Sequence, residues 1–285
     1  MNSPEPSMST RAIPNVLSIA GIDPSGGAGL FTDLRAFAAH GVHGCGVVTA
    51  LTAQNSQAVT GISPVDPAFV RQQLDTLFAD VRIRSAKIGM LGTAPIIRAV
   101  AEGLDAPLKS GQPAHLVLDT VMVAKSGDAL LERDATAMLL EAVLPLATVI
   151  TPNLPEAGVL LGQRAPETIA EMRRAAEKLR ERMCHNGHRW VLLKGGHLQG
   201  DAIDVLHDGD RMLEFAAPRI ETRNTHGTGC TLSAAIAARL AHDDDVERAV
   251  GACKRWLTEA IRRSGELSVG QGHGPVHAFH QLWSR

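Results

Sequence analysis

The chain has 285 residues, 45% of them hydrophobic and 20% charged, with a formal net charge of −2 at neutral pH. These are globular values, and they exclude a wholly disordered chain, a coiled coil and the basic footprint of a nucleic-acid binder. Tyr is absent, with six Phe and three Trp, so Ala, Val, Leu and Ile must build the core, and a stacking platform for bases is hard to assemble. No apolar run reaches the ~18 residues of a membrane span. Residues 1–15 hold three Pro and one Arg but no apolar stretch of a secretory signal. We read residues 1–12 as a disordered tail and residues 13–285 as a single domain. Cys45, Cys184, Cys230 and Cys253 form no C-x-x-C pair. That spacing suits neither a disulfide framework nor a zinc site and fits a reducing cytoplasm. Three of the four read as small buried hydrophobes.

In chain order, short apolar runs alternate with helical patterns. The runs at 16–20, 46–51, 86–90, 115–119, 148–151 and 190–194 are continuously apolar, as expected of parallel strands covered on both faces. Leu30, Leu34 and Phe37 recur at helical spacing after the first run, and Leu74, Leu77 and Phe78 after the second. Residues 171–183 predict a surface helix with an Arg173/Glu177 pair four residues apart. Residues 202–206 and 211–215 flank His207-Asp208-Gly209-Asp210 and predict a hairpin. Helices follow at 228–240 and 246–263, the latter preceded by acidic residues that suit its positive dipole end. This order specifies an α/β fold, a three-layer αβα sandwich with a mostly parallel central sheet.

In such sheets ligands collect beyond the carboxyl ends of the strands. The polar and glycine-rich stretches of this chain lie there. The clearest is Asn224-Thr225-His226-Gly227-Thr228-Gly229-Cys230-Thr231, leading into a helix. Glycines let backbone N–H groups turn inward, and a helix start adds donors and a positive end. Gly227, Thr228 and Gly229 therefore form a candidate anion hole for phosphate oxygens or for charge developing in phosphoryl transfer. The hydroxyls of Thr225, Thr228 and Thr231 favour that reading over a plain helix start. Cys230 sits where a thiol pKa should fall, as a nucleophile or general base, with His226 close enough in sequence to suggest a Cys–His arrangement. Lys194 ends an apolar strand before two glycines, where it can neutralise phosphate. Asn153 and Glu156 either cap a helix or hold waters around Mg²⁺, and the segment alone leaves both open. The loop 23–29 lacks the Lys of a P-loop and the G-x-G-x-x-G of a dinucleotide fold. Its glycines still let a ligand approach the backbone. Gln54 can donate and accept in one plane, which matches an aminopyrimidine edge. Met90 and Val121 can wall such a ring. His273, His277 and His280 resemble metal spacing, but Pro275 interrupts them, and they read as an irregular segment packed on the domain.

These stretches, in order, resemble the hydroxymethylpyrimidine kinase/phosphomethylpyrimidine kinase family of thiamine biosynthesis, within the ribokinase-like superfamily. The likeness is carried by residues 20–29, 49–55, 87–91, 119–122 with 125–127, 151–157, 194–197, 224–232 and 272–280. It implies ATP as co-substrate with Mg²⁺, and phosphorylation first of a hydroxymethyl group and then of the resulting ester. By position, Gly21, Asp23, Gln54, Met90 and Val121 would line the pyrimidine pocket. Asn153 and Glu156 would serve Mg²⁺, and Lys194, Asn153, Thr225, Gly227 and Gly229 would serve ATP. Cys230 would stand at the base position, and Lys125 on a flap would reach phosphate. The family also suggests a homodimer, while the cysteine spacing, charge and hydropathy lead us to expect a cytoplasmic protein with no nucleic-acid or membrane partner. A pyridoxine/pyridoxal kinase on the same fold, a non-catalytic pyrimidine-sensing module and a cysteine acyl hydrolase are the competing expectations. The departures are an N-terminal extension and a few extra residues near 110–113 and 185–188.

Overall fold

The structure, a computed structural model, describes residues 12–122, 133–183, 187–196 and 198–283. Its nine strands are β1 Asn15–Ile22, β2 His43–Gln54, β3 Val59–Pro64, β4 Ser85–Ile88, β5 His115–Leu118, β6 Val149–Ile150, β7 Trp190–Leu193, β8 Ala202–His207 and β9 Met212–Ala217. The eight α-helices are α1 Gly29–Ala39, α2 Pro67–Asp80, α3 Ala94–Lys109, α4 Arg133–Met138, α5 Leu154–Leu161, α6 Ile169–Arg182, α7 Thr228–Leu240 and α8 Val246–Arg262. The strands form one sheet in the order β3-β2-β1-β4-β5-β6-β7-β8-β9. The pairs from β2 to β7 are parallel. β3 and the β8–β9 hairpin are antiparallel additions at the two edges.

Two apolar layers cover the sheet. Leu74, Ile97, Leu104 and Met172 of α2, α3 and α6 pack on one face. Phe37, Ile236 and Leu257 of α1, α7 and α8 pack on the other. This is the predicted αβα sandwich, and its buried side chains are overwhelmingly aliphatic. The central helix α7 is buried along almost its whole length. Ala234, Ala235, Ala237 and Ala238 carry no bulk, so it can lie close to the sheet and between α1 and α8.

The chain order reverses between β1 and β4. From β1 it crosses through α1 to β2 on one side, then returns through α2 to β4 on the other. Such a switch point opens a crevice at the strands' carboxyl ends.

Several expectations need correction. β2 runs to Gln54 rather than stopping at residue 51, because β3 pairs with its far end. β3 itself has no apolar alternation and is exposed along most of its length, so no pattern announced it. Arg173 does not pair with Glu177; its Nε and Nη2 lie 3.0 and 2.8 Å from Glu214 Oε1 on β9. A tertiary partner that receives both guanidinium nitrogens replaces the within-helix pair. Of the cysteines, Cys253 is buried, Cys45 is half-buried against the core, and Cys184 lies outside the described residues.

Candidate active site

A cavity of about 710 Å³ opens at the switch point and runs along the carboxyl ends of the strands. Gly21, Asp23, Gln54, Met90, Val121, Asn153, Glu156, Lys194, Thr225, Gly227, Thr228, Gly229 and Cys230 all line it. Lys125, the remaining candidate, lies outside the described residues.

Two glycine loops interlock at the rim. Gly227 has φ +69°, and a Cβ there would stand 1.8 Å from Gly27 O. A Cβ on Gly27 would stand 2.1 Å from His226 Cδ2. The loops therefore touch backbone to backbone, which only glycine permits. Asp23 ties them. Its Oδ1 accepts from the Ser25 N–H and hydroxyl at 2.9 and 2.7 Å. Its Oδ2 accepts from the Ala28 N–H at 3.0 Å and lies 2.7 Å from His226 Nε2. Burial alone would raise the Asp23 pKa, but the His226 and Ser25 hydrogen bonds outweigh it and hold the carboxyl below its ordinary range.

No side chain caps α7. Thr228 Oγ1 donates to Thr225 O at 2.8 Å, and Thr231 Oγ1 to Gly227 O at 2.8 Å. The hydroxyl protons of Thr228 and Thr231 thus brace the turn, while Thr225 and Thr228 also line the cavity. A candidate anion hole there would rest on the backbone donors of the first turn and on the helix dipole.

Cys230 sits in that turn, with the Gly29 N–H at the start of α1 directed at its sulfur. The expected fall in thiol pKa is overturned. Burial pushes the thiol up to about 12, and Lys87 with the Gly29 N–H draws it only part of the way back. Desolvation of the charged form exceeds the pull of one buried ammonium and a helix end. Half-buried and lining the cavity, the Cys230 side chain is thus held toward the neutral thiol. His226 is bonded to Asp23 rather than to this sulfur, so the Cys–His arrangement is not formed.

Lys194 is no surface lysine. Its side chain is 14% exposed, and Nζ lies 3.2 Å from Asp119 Oδ1. A Cβ on Gly229 would stand 3.2 Å from that Nζ, so the ammonium faces the α7 turn. Asp119 Oδ1 also accepts from Thr151 Oγ1 and Oδ2 from Ser233 Oγ, each at 3.1 Å. Burial acts to raise the Asp119 pKa, but Lys194 and Lys87 outweigh it and keep it low. Burial also lowers the preference of Lys194 for its proton, and Asp119 and Glu156 more than restore it.

Asn153 and Glu156 form a complete capping box on α5. Glu156 Oε2 accepts from the Asn153 N–H at 2.8 Å and from Thr120 Oγ1 at 3.1 Å. Burial, with Asp119 nearby, holds the Glu156 pKa above its ordinary range in spite of Lys194. Two carboxylates thus face one region of the cavity, a hard-oxygen donor set that a divalent cation would neutralise. The residues fit Mg²⁺ held through water, with the capping role also present.

At the other end Gln54 closes β2. A Cβ on Gly21 would stand 3.2 Å from Met90 Sδ, so a side chain at residue 21 would crowd this wall. Beyond α7, Leu232, Leu257 and Ile261 make an apolar arm of the same cavity beside Asp204 and Lys254. The sequence reading did not single these out, nor Lys87, Asp33 and Asp119. Lys and Asp inside apolar runs were the available signal: side chains so placed are buried only when paired. Among the described residues no cluster could hold a metal through three His, Cys, Asp or Glu ligands, and His277 and His280 are buried. No described helix is long and apolar enough to cross a membrane.

Residues 23–277 match the family model described as phosphomethylpyrimidine kinase. The chain is 49% identical over 268 residues to the hydroxymethylpyrimidine/phosphomethylpyrimidine kinase of Rhizobium meliloti, covering 94% of this chain and 97% of the relative. Among solved structures it is similar to an ADP complex of Bacillus subtilis pyridoxal kinase, with TM-score 0.83 and 34% identity over 95% of this chain and 99% of the other. It is also similar to phosphomethylpyrimidine kinase from Clostridium difficile, with TM-score 0.75 and 37% identity over 87% and 99%. With this match over most of its length, and a cavity that gathers a lysine, a thiol and an uncapped helix start, the chain belongs to the phosphomethylpyrimidine kinase family.

Proposed function

We propose that this enzyme transfers the γ-phosphoryl group of ATP to the hydroxymethyl group of 4-amino-5-hydroxymethyl-2-methylpyrimidine, and then to the resulting phosphate ester, in thiamine biosynthesis. One observation carries the reading. A planar amide, Gln54, and an uncapped helix start flanked by Lys194 and Cys230 line the same cavity.

The ring lies between Gly21, Met90 and Val121, with its amino edge on Gln54. The triphosphate approaches from the apolar arm beyond α7. Phosphoryl transfer asks for positioning and charge stabilisation more than for covalent chemistry. The N–H groups of Gly227, Thr228 and Gly229 and the Lys194 ammonium meet the charge that spreads over the transferred group. Glu156 and Asn153 would hold Mg²⁺ through water, and the ion would offset phosphate charge. Cys230, neutral because of its burial, hydrogen-bonds the acceptor oxygen. A carboxylate there would repel the second acceptor, which is already an anion; a neutral thiol does not, so one site serves both. Asp23 acts by holding the two glycine loops together.

We place this activity in a single catalytic domain over residues 13–285, working as a cytoplasmic homodimer. The exposed Leu51 and Ile62 of the β2–β3 arm support the dimer, and sedimentation at a single-chain mass would remove it. The deciding assay incubates the pyrimidine with Mg·ATP and follows mono- and diphosphate by mass. Both should appear, in that order. Binding without ATP consumption would show a sensor instead. The likeness to solved pyridoxal kinases supports a second acceptor, pyridoxine or pyridoxal. Faster turnover of pyridoxal than of the pyrimidine would make that the principal activity.

A further inference from the structure

The segment 270–275 lines no part of the cavity, yet it touches two loops that lead into it. Its far end is anchored. Val276 and Ala278 are buried in the apolar layer of α1, α7 and α8, and the His277 N–H donates to Ala260 O of α8 at 3.0 Å. On one side, the Gly272 N–H donates to Ser56 Oγ at 3.0 Å and the His273 N–H to Ser56 O at 2.8 Å. Ser56 lies two residues past Gln54, in the turn that joins β2 to β3. On the other side, the His226 N–H donates to Gly274 O at 3.0 Å, and His226 pairs with Pro275 in a single parallel bridge. Gly227 follows directly. Each N–H meets its own acceptor, so the three bonds coexist. The contacts also exclude side chains. A Cβ on Gly272 would stand 2.1 Å from Ser56 O, and one on Gly274 2.4 Å from Asn224 Oδ1. Neither glycine has a positive φ, so a side chain there would disturb the contact rather than the local backbone.

We propose that residues 272–275 form a positioning strap, with Gly272 and Ser56 as its closest pair, that fixes the distance between the Gln54 wall and the Gly227 turn and so the length of acceptor the site takes. The proposal rests on the reading above, in which the ring edge meets Gln54 and the acceptor hydroxyl meets the start of α7. One rigid molecule then spans two loops that are far apart in sequence, and transfer needs both loops at one separation. A displacement of about 1 Å at such a site can cost 10²-fold in rate. The strap touches no substrate; it acts through Ser56 on the turn after β2 and through His226 on the turn before α7.

The test uses the full chain with saturating Mg·ATP and compares kcat/KM for the 5-hydroxymethyl pyrimidine and its 5-(2-hydroxyethyl) homologue, one methylene longer. Gly272→Ala drives a Cβ against Ser56 O and widens the gap. The hydroxymethyl-over-hydroxyethyl preference should then fall by about tenfold, the low end of what one methylene is worth in a fitted pocket. A variant that is only less stable loses activity on both acceptors alike and keeps the preference. Ser56→Ala removes one strap bond without adding bulk and should shift the preference the same way by less; it carries the test if Gly272→Ala does not fold. An unchanged preference overturns the proposal. Amide hydrogen exchange gives a second reading that needs no substrate. The His226 N–H should exchange about tenfold faster in Gly272→Ala, as its bond to Gly274 O opens locally, and unchanged protection overturns the proposal. If the wild type phosphorylates neither pyrimidine, the substrate reading fails, and exchange at His226 alone decides the strap.

Discussion

Two lysines stand at the carboxyl ends of parallel strands, each paired with an aspartate, and they do different work. Lys87 on β4 is fully enclosed and reaches both oxygens of Asp33, at 3.0 and 2.8 Å. Ser18 Oγ adds a 2.6 Å bond to the same carboxylate. Residue 89 is glycine where a Cβ would stand 2.6 Å from Nζ. Both lysines border the cavity, but Lys194, after β7, touches a single oxygen of Asp119 at 3.2 Å and is 14% exposed. An ammonium has three donors. Lys87 spends two on its partner and is a fixed internal charge; Lys194 spends one and can meet an arriving phosphate. In both, burial weakens the hold on the proton and the nearby carboxylates more than restore it, so both are cations. What separates the two pairs is the number of donors left over.

The sharpest way to break this contrast is Lys87→Met. It strands Asp33 as a buried, unpaired carboxylate and should destabilise the fold by about 3–5 kcal/mol, read from urea unfolding. Adding Asp33→Leu should recover much of that loss. Lys194→Ala should do the reverse, reducing turnover by about 10²–10³-fold while shifting the unfolding midpoint less than Lys87→Met. Normal turnover would take Lys194 out of the chemistry. The sealed region also predicts an acid limit. The helix that carries Asp33 ends at His40, whose pKa is lowered to about 4 by burial and by Arg239, His242 and His280. Its folded pKa lies below the unfolded value of ~6.5. As pH falls from about 6.5 to 4 the unfolded chain takes up the proton first, and up to about 3 kcal/mol of stability is lost. Unfolding midpoints across that range should slope less in His40→Gln. The smallest effect concerns the open region. Cys230→Ala should slow the first phosphorylation by about tenfold, below the 10²–10⁴ of a full general base, and the second by less. Equal losses in both half-reactions would refute the neutral-thiol rationale. Alkylation of Cys230 should be slow at neutral pH and accelerate as pH rises toward 12.

The fold was legible where burial leaves a periodic trace. β1, β4, β5 and β7 are continuous apolar runs, and helix 228–240 was delimited by Gly227 at its start. β3 was not legible, because an exposed edge strand has no apolar face to reveal it. In the site, glycines and strand-end polar residues pointed to the loops and the family resemblance supplied the pocket positions; the candidates within the described residues line the cavity. The pairings were hidden. Lys87 and Asp33 lie 54 residues apart, Asp119 and Lys194 75, and His226 and Asp23 203. No local pattern encodes such contacts. The same holds for Arg173, whose nearest sequence partner lost to Glu214 across a strand.

The amino-acid order by itself determined the layered α/β architecture, the edge at which the cavity opens and the residue types available there, since periodicity, glycine placement and strand-end polarity are local properties. Only the tertiary structure decided the protonation of Cys230, the bracing role of the threonine hydroxyls, and which lysine is sealed and which is open. Those depend on desolvation and on charges brought together from distant segments, quantities that exist only once the chain has closed around them.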